Sequence, residues 1–172
     1  MTIAELLLPE YDEEIAVSRS VLERVPDYGE KGRWRPHERA FPMGHLAQLV
    51  STMPSWVVKI TDQPELDIAP QDGPRRGYTY EKTDKLLADL DRNAKVGRDA
   101  IARMTDARFG EPWHFKAAGA TIFTKSRYQS LRWSVLNHLV HHRAQLGVYL
   151  RIVGERVPEM YGPTADSKKA GP

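Results

Sequence analysis

The sequence contains no cysteine, which excludes disulfide bonds, thiolate metal ligands and a cysteine nucleophile from this chain of 172 residues. It also lacks any apolar run long enough to form a membrane-spanning helix. Neither sign of charge dominates, because 25 lysine and arginine residues balance 23 aspartate and glutamate residues, giving a formal net charge of +2. Such a balance does not indicate a nucleic-acid-binding surface. We therefore expect neither a nucleic-acid partner nor a membrane partner.

Several common enzyme motifs are absent as well. The sequence has no glycine-rich phosphate loop, no Gly-x-Ser-x-Gly nucleophile elbow and no His-Glu-x-x-His zinc-protease helix. The apolar run near the N-terminus is short and is soon followed by acidic residues, which does not fit a signal peptide. These features predict a cytoplasmic protein.

Hydrophobic periodicity predicts four helices and hence an all-α fold, a four-helix bundle formed by one domain over residues 1–172. The tail from about residue 164 is expected to be frayed. Proline and glycine mark several helix ends, and Pro54 should kink the second helix. The predicted helices open at Pro9, Pro42, Thr83 and Ser126, and they end near Val25, Ile60, Met104 and Val153.

A short segment between the third and fourth helices has a different pattern. Trp113 and Phe115 alternate with polar neighbours, and a second short apolar stretch ends at Phe123. Alternation of this kind is typical of a strand, and Ala118-Gly119 could form a turn. The segment therefore predicts a short β-hairpin.

The fourth helix carries a cluster of histidines in the stretch from Asn137 to Gln145. Three of the six histidines in the protein lie within five positions. His138 and His142 are four residues apart, so a helix places them one turn apart on the same face, within its apolar stripe. Two imidazoles arranged in this way can hold one divalent metal ion. A hydrogen-bonded histidine pair without metal has the same spacing, and the spacing does not separate the two interpretations.

A metal site of this kind needs a third protein ligand, and four histidines are candidates. His45 is the best placed, near the start of the second helix, because bundle proteins donate ligands across the core from facing helices. His141 points about 100° away from His138 on the same helix. His37 and His114 lie in connections, and we interpret them as surface or packing residues. The predicted metal ligands are therefore His45, His138 and His142.

The run from Asn137 to Leu146 resembles the signature of the DinB-like (YfiT-like) metal-binding four-helix-bundle family. Leu7-Leu8-Pro9-Glu10-Tyr11-Asp12 is similar to the opening of that family, and Trp34-Arg35-Pro36-His37-Glu38 resembles the segment before its second helix. Residues 157–163, Val-Pro-Glu-Met-Tyr-Gly-Pro, are similar to its closing turn. The resemblance extends over nearly the whole chain.

The resemblance implies a helical bundle with three histidines around a nickel or zinc ion, assembled as a homodimer. It also implies, from some relatives, a low-molecular-weight thiol as a second cofactor and a small-molecule substrate. His138 and His142 match two of the ligand positions. The third ligand position of the family falls on Leu49, whereas this chain has His45 one turn earlier.

Two functions are consistent with these observations. The first is a metal-dependent enzyme of the thiol S-transferase or hydrolase type, in which the ion lowers the pKa of a bound thiol or water. The second is a non-catalytic, stress-associated DinB-like bundle with an incomplete metal site. A dimeric interaction module whose histidines only pack is a weaker third interpretation.

Overall fold

A computed structural model describes residues 1–27, 29–70 and 82–167 of the chain, which fold into a mostly helical structure with one small sheet. Besides the helices and strands given next, the chain has a 3-10 turn, Met53–Ser55, and a π-helical segment, Arg132–Asn137. The helices are α1 (Ile3–Leu22), α2 (Glu30–Arg33), α3 (Met43–Thr52), α4 (Trp56–Asp62), α5 (Thr83–Ala102), α6 (Asp106–Gly110), α7 (Arg127–Leu131) and α8 (His138–Ile152). The strands are β1 (Glu65–Asp67), β2 (Pro112–Ala117) and β3 (Ala120–Ser126).

The sheet makes the all-α prediction wrong, and the structure does not confirm the predicted four-helix bundle. The predicted hairpin is present, because β2 and β3 pair antiparallel around the Ala118-Gly119 turn. The unpredicted strand β1 pairs parallel to β2 and is only three residues long, too short for a periodic signal. Its Asp67 carboxylate accepts hydrogen bonds from the N–H groups of Ala118 (3.1 Å) and Gly119 (2.7 Å). Asp67 thereby ties β1 to the hairpin turn.

The first helix begins six residues earlier than predicted, at Ile3 rather than Pro9. Thr2 caps it: its hydroxyl accepts from the Glu5 N–H, and the Glu5 carboxylate accepts from the Thr2 N–H. This capping box satisfies two N–H groups that the helix leaves unpaired. Pro9 therefore lies inside α1, whereas the sequence analysis predicted that it would be the first residue of the helix.

The other predicted helices are largely confirmed. Pro54 lies in the 3-10 turn between α3 and α4, where the kink was predicted. Gly154 follows α8 with a φ of 81°, the left-handed conformation that ends helices. The π-helical segment is the main departure, because it interrupts the fourth predicted helix immediately before the histidines.

Two buried clusters form the core. One joins α1, α3, α5 and α8, and includes Leu22, Met43, Leu90 and Leu146. The second joins α1, α4 and α5 to the hairpin, where Trp113 is fully buried and its indole N–H donates to the Lys59 carbonyl at 3.2 Å. The hairpin is thus packed against the helices. Within the described part of the chain, no helix has the length and apolarity required to cross a membrane.

The chain after α8 folds back over α1. Buried Arg143 forms an ion pair with Glu14 at 2.6 Å, and it also contacts the Tyr161 hydroxyl. That hydroxyl donates to the Glu14 carboxylate at 2.7 Å. The tail that was expected to fray from about residue 164 is described as far as Ser167, and Thr164 donates to the Val157 carbonyl at 2.9 Å. Residues 168–172 lie outside the described residues.

We expect Gly97→Ala to lower the free energy of unfolding by about 1–3 kcal/mol, the usual cost of overpacking a core. A Cβ at this position of α5 would lie 2.5 Å from the Tyr11 hydroxyl oxygen, 3.0 Å from the Pro54 carbonyl oxygen and 3.3 Å from Val57 Cβ. Tyr11 cannot move without loss, because its hydroxyl donates to the Ala94 carbonyl at 3.1 Å. Urea unfolding of both proteins measures the difference.

Gly110→Ala is the matched control. A Cβ at Gly110 would meet no atom within 4 Å, so the same substitution should change stability little. Equal stability losses in the two variants would contradict the close helix packing at Gly97.

Candidate metal centre

The histidine pair lies at the junction between the π-helical segment and α8. Within a π-helix the hydrogen bonds run from residue i to i+5, and such segments are frequent at functional sites. At the junction, the His138 N–H donates to the Val135 carbonyl rather than to the Ser134 carbonyl that an α-helix would use. The Ser134 backbone instead forms a hydrogen bond with the His138 side chain. The local winding thus orients one of the two imidazoles.

The two imidazoles of the pair face one another. The Nε2 atoms of His138 and His142 are 2.8 Å apart, and the ring centroids are 4.5 Å apart. His142 is buried and His138 is half-buried, as their place in the apolar stripe predicted. The Trp56 ring of α4 lies 6.0 Å from the His138 ring and covers it from a neighbouring helix.

Both rings are also held by other groups. His142 Nδ1 lies 3.0 Å from Gln145 Oε1, and the His138 side chain forms a hydrogen bond with the Ser134 backbone. An imidazole that donates through Nδ1 carries a lone pair on Nε2. The 2.8 Å between the two Nε2 atoms is a hydrogen-bond distance, so either an N–H group of one ring or a shared metal ion can bridge them. In metal-binding histidines the second ring nitrogen is fixed by a hydrogen bond, as His142 Nδ1 is beside Gln145.

Burial favours the neutral form of both rings. It is the largest cause of the lowered pKa of His138, with nearby His142 and His141 acting in the same direction. Burial also lowers the pKa of His142, against a smaller opposing effect of the Gln145 hydrogen bond. Neutral imidazole is the form that binds metals, so the pair is in its ligand state at neutral pH.

A pH titration of metal affinity tests this electrostatic environment. Since protons compete with metal for Nε2, affinity falls only below the pKa of the ligands. With the pKa of both histidines lowered, we expect the zinc affinity to stay constant from pH 7.5 to about 6.5, the ordinary histidine pKa, and to fall at lower pH. Calorimetric titration, corrected for buffer competition, measures it. A steady decline between pH 7.5 and 6.5 would contradict the lowered pKa of the pair.

The structure does not assemble a three-histidine group. Among residues 1–27, 29–70 and 82–167, no set of three or more His, Cys, Asp or Glu side chains is placed to hold a metal ion. Burial lowers the pKa of His45 on α3, and the centroid of its ring lies 4.6 Å from that of the Phe41 ring just before the helix. The remaining histidines are apart from the pair's Nε2 atoms: His37 is exposed, His114 lies 2.8 Å from the Thr124 hydroxyl, and exposed His141 meets only the edge of the His142 ring.

Helix register explains why His45 lies apart from the pair. The run from α3 to α4 is antiparallel to α8. Trp56 of α4 contacts His138, whereas Trp34, whose carbonyl accepts from the Met43 N–H at the start of α3, contacts Tyr149. His45 precedes Trp56 by eleven residues, or about 16 Å along a helix, whereas His142 is only about 6 Å from His138. His45 is therefore about 10 Å beyond the level of His142.

Leu49 lies one turn nearer to the pair than His45 along α3. It lies two helical turns before Trp56 and hence on the same face of the helical run. It is buried in the same cluster as Leu139 and Leu146, which flank His142 along α8. The site thus combines two converging imidazoles with apolar side chains packed nearby.

A pocket of about 270 Å³ opens beside His138, lined by Trp133, Asn137 and His138. Sequence reasoning interpreted Trp133 as core or rim packing, and it gave Asn137 no role. Asn137 and His138 follow Trp133 by four and five positions, a spacing that the wider turn of the π-helical segment places on one side of the helix. The sequence analysis assumed a period of 3.6 residues throughout this helix and therefore did not group the three residues.

Comparisons with known proteins agree with this fold. Residues 118–170, which include His138 and His142, match the model of the DinB family. A DinB-like protein from Bacillus cereus ATCC 10987 superposes with a TM-score of 0.70 at 19% identity, covering 93% of this chain and 98% of that one. The DinB-like protein YjoA from Bacillus subtilis gives a TM-score of 0.66 at 12% identity, over 90% of this chain and 97% of that one. A comparison with curated proteins finds no match.

The two comparisons that match bear on different parts of the molecule. The family match covers the hairpin turn, the π-helical segment, α8 and the tail, whereas the structural likeness extends over the whole fold. Together they show that residues 118–170 match the DinB family and that the fold of the chain is similar to that of two DinB-like proteins.

Proposed function

We propose that the protein binds one divalent metal ion, nickel or zinc, through Nε2 of His138 and Nε2 of His142. The observation that carries this proposal is the 2.8 Å approach of the two Nε2 atoms, with His142 Nδ1 3.0 Å from Gln145 Oε1. Burial lowers the pKa of both rings and so favours the neutral imidazoles that bind metals. The donor set therefore suits a metal that accepts imidazole ligands.

We further propose that the protein is a metal-dependent enzyme of the thiol S-transferase or hydrolase type, with a low-molecular-weight thiol as a second cofactor. A bound divalent ion lowers the pKa of a coordinated thiol or water. The chain's own contribution is to fix the two imidazoles through Ser134 and Gln145, and to leave a pocket beside His138 for a small-molecule substrate. No cysteine is needed for this chemistry, which fits the composition.

The enzyme proposal is tested with protein stripped by chelator and reloaded with nickel or zinc. The reloaded protein is assayed with small thiols against a panel of electrophiles, and with a panel of esters and amides. We expect activity in the wild type, a loss of at least 100-fold in His138→Ala and His142→Ala, and little change in His141→Ala. The enzyme proposal fails if fully metallated protein catalyses neither thiol conjugation nor hydrolysis across these panels.

A non-catalytic, stress-associated role is the alternative, and one observation favours it. Leu49 stands where the resemblance places a third histidine, and the described residues include no three-ligand group. This alternative predicts that His138→Ala leaves any activity of the purified protein unchanged.

The homodimer implied by the resemblance and the cytoplasmic location predicted from the sequence belong to the same proposal. Sedimentation equilibrium checks the first, since a homodimer has twice the mass of the 19.6 kDa chain. Fractionation of the source cells checks the second.

A further inference from the structure

A small, open surface pocket lies beside His138. Its volume of about 270 Å³ corresponds to about nine water molecules, taking roughly 30 Å³ for each. His138 forms one wall, so a molecule in this pocket lies next to the proposed metal ligand. Trp133 and Asn137 form the other walls, and none of these three side chains is acidic.

The indole of Trp133 provides an aromatic wall that stays largely exposed, with the Lys125 ammonium over its ring. Trp133 is 60% exposed, although tryptophan is one of the side chains that gains most from burial. Ligand sites are typically lined by aromatic side chains with a few placed polar groups. A flat ring placed against this indole would cover it and gain the offset or edge contacts that aromatic pairs prefer.

Lys125 adds positive charge to this wall. Its ammonium group lies 5.0 Å from the centroid of the Trp133 ring and 5.6 Å from that of Phe123. Among the described residues, Lys125 takes part in no ion pair, whereas Arg132 beside Trp133 is paired with Glu10. The positive charge of Lys125 is therefore not neutralised by a described carboxylate, and it favours an anion at the adjacent pocket.

Asn137, the chain neighbour of His138, contributes a polar group to the lining of the pocket. It is exposed, and its amide carries two N–H donors that can bind a carboxylate oxygen. The pocket therefore combines an aromatic face, a hydrogen-bond donor and a nearby uncompensated cation.

We propose that this pocket binds a small aromatic carboxylate, with its ring against Trp133 and its carboxylate drawn by Lys125 and Asn137. Binding requires only these side chains. The further claim that such a molecule is the substrate rests on the proposed function, because it needs the metal-dependent chemistry at His138.

Three probes of similar size separate the contributions of ring and charge. Benzoate has both the aromatic ring and the negative charge, benzamide keeps the ring without the charge, and cyclohexanecarboxylate keeps the charge without the aromatic ring. Binding is measured by ligand-observed NMR with chelator present, so that no metal contributes. We expect benzoate to bind at least fivefold more tightly than either of the other two probes, and less tightly as salt is raised.

Two variants assign these preferences to residues. Trp133→Ala should weaken benzoate at least fivefold and make benzoate and cyclohexanecarboxylate bind equally. Lys125→Gln should remove the preference for benzoate over benzamide. Exposed positions on α5 supply the controls, Val96→Ala for the loss of apolar surface and Lys95→Gln for the loss of charge, and both should bind benzoate like the wild type.

The inference is overturned if the three probes bind equally, if none binds, or if Trp133→Ala and Lys125→Gln bind benzoate like the wild type. A metal titration of the same proteins keeps the two proposals distinct. Wild-type protein that binds benzoate but no metal would overturn the proposed function and support the proposed ligand of the pocket. Wild-type protein that binds metal but no benzoate would support metal binding and overturn the proposed ligand.

Discussion

Replacing Arg143 by alanine is expected to lower the free energy of unfolding by about 3–5 kcal/mol, the cost of breaking a buried ion pair by removing one partner. The side chain of Arg143 is 1% exposed and that of Glu14 is 12% exposed, and they meet at 2.6 Å. Arg143 also donates to the Glu14 backbone carbonyl at 3.0 Å and to the Ser18 hydroxyl at 3.3 Å. Truncation therefore leaves a mostly buried carboxylate without its cationic partner, and it removes the donor to the Glu14 carbonyl and the Ser18 hydroxyl.

Urea unfolding monitored by circular dichroism measures this loss, and Arg98→Ala is the matched control. Arg98 also pairs with an acidic residue of α1, Asp12 at 2.9 Å, but both side chains are about half exposed. Exposed ion pairs contribute little, so the control should lose no more than about 1 kcal/mol. If Arg143→Ala lost as little as the control, the contact between α1, α8 and the tail would not stabilise the fold as described.

Leu49→His is expected to raise the affinity for nickel or zinc at least tenfold, because it supplies the third imidazole that the described residues lack. Leu49 belongs to the same buried cluster as Leu139 and Leu146, which flank His142 along α8. A buried imidazole replacing a leucine costs stability without metal, since its polar atoms lose water. The variant should therefore be less stable than the wild type with chelator, and should recover part of that stability when metal is added.

Calorimetric titration compares four proteins: the wild type, Leu49→His, His138→Ala and the Leu49→His/His138→Ala double variant. The gain from Leu49→His should largely disappear in the double variant, because the new ligand acts together with the existing pair. An equal gain in both backgrounds would show that the new histidine binds metal elsewhere. No gain in either would mean that position 49 does not face the pair.

The sequence predicted features with a strong local signal. The i, i+4 spacing of His138 and His142 placed both rings on one face, and the structure brings their Nε2 atoms to 2.8 Å. The alternation around Trp113 predicted the hairpin, and Pro54 predicted the interruption between α3 and α4. Each of these signals depends on a few neighbouring residues, so no tertiary information was required.

Features that depend on tertiary context were missed. Strand β1 exists because it pairs with β2 and because Asp67 caps the hairpin turn, and neither contact is visible in a three-residue segment. The π-helical winding that brings Trp133, Asn137 and His138 together breaks the period on which helix prediction depends. The distance between His45 and His142 along the helix axes depends on how α3 packs against α8. Residue spacing within one helix does not predict this packing.

Elemental analysis of protein purified without an affinity tag or chelator tests the central claim most directly. The comparison includes the wild type, the His138→Ala/His142→Ala double variant, His45→Ala and His141→Ala. The account predicts about one divalent ion per chain in the wild type and in His141→Ala, most of it retained in His45→Ala, and none in the double variant. The account would be contradicted if the wild type stayed metal-free after incubation with nickel and zinc. It would also be contradicted if the double variant held as much metal as the wild type.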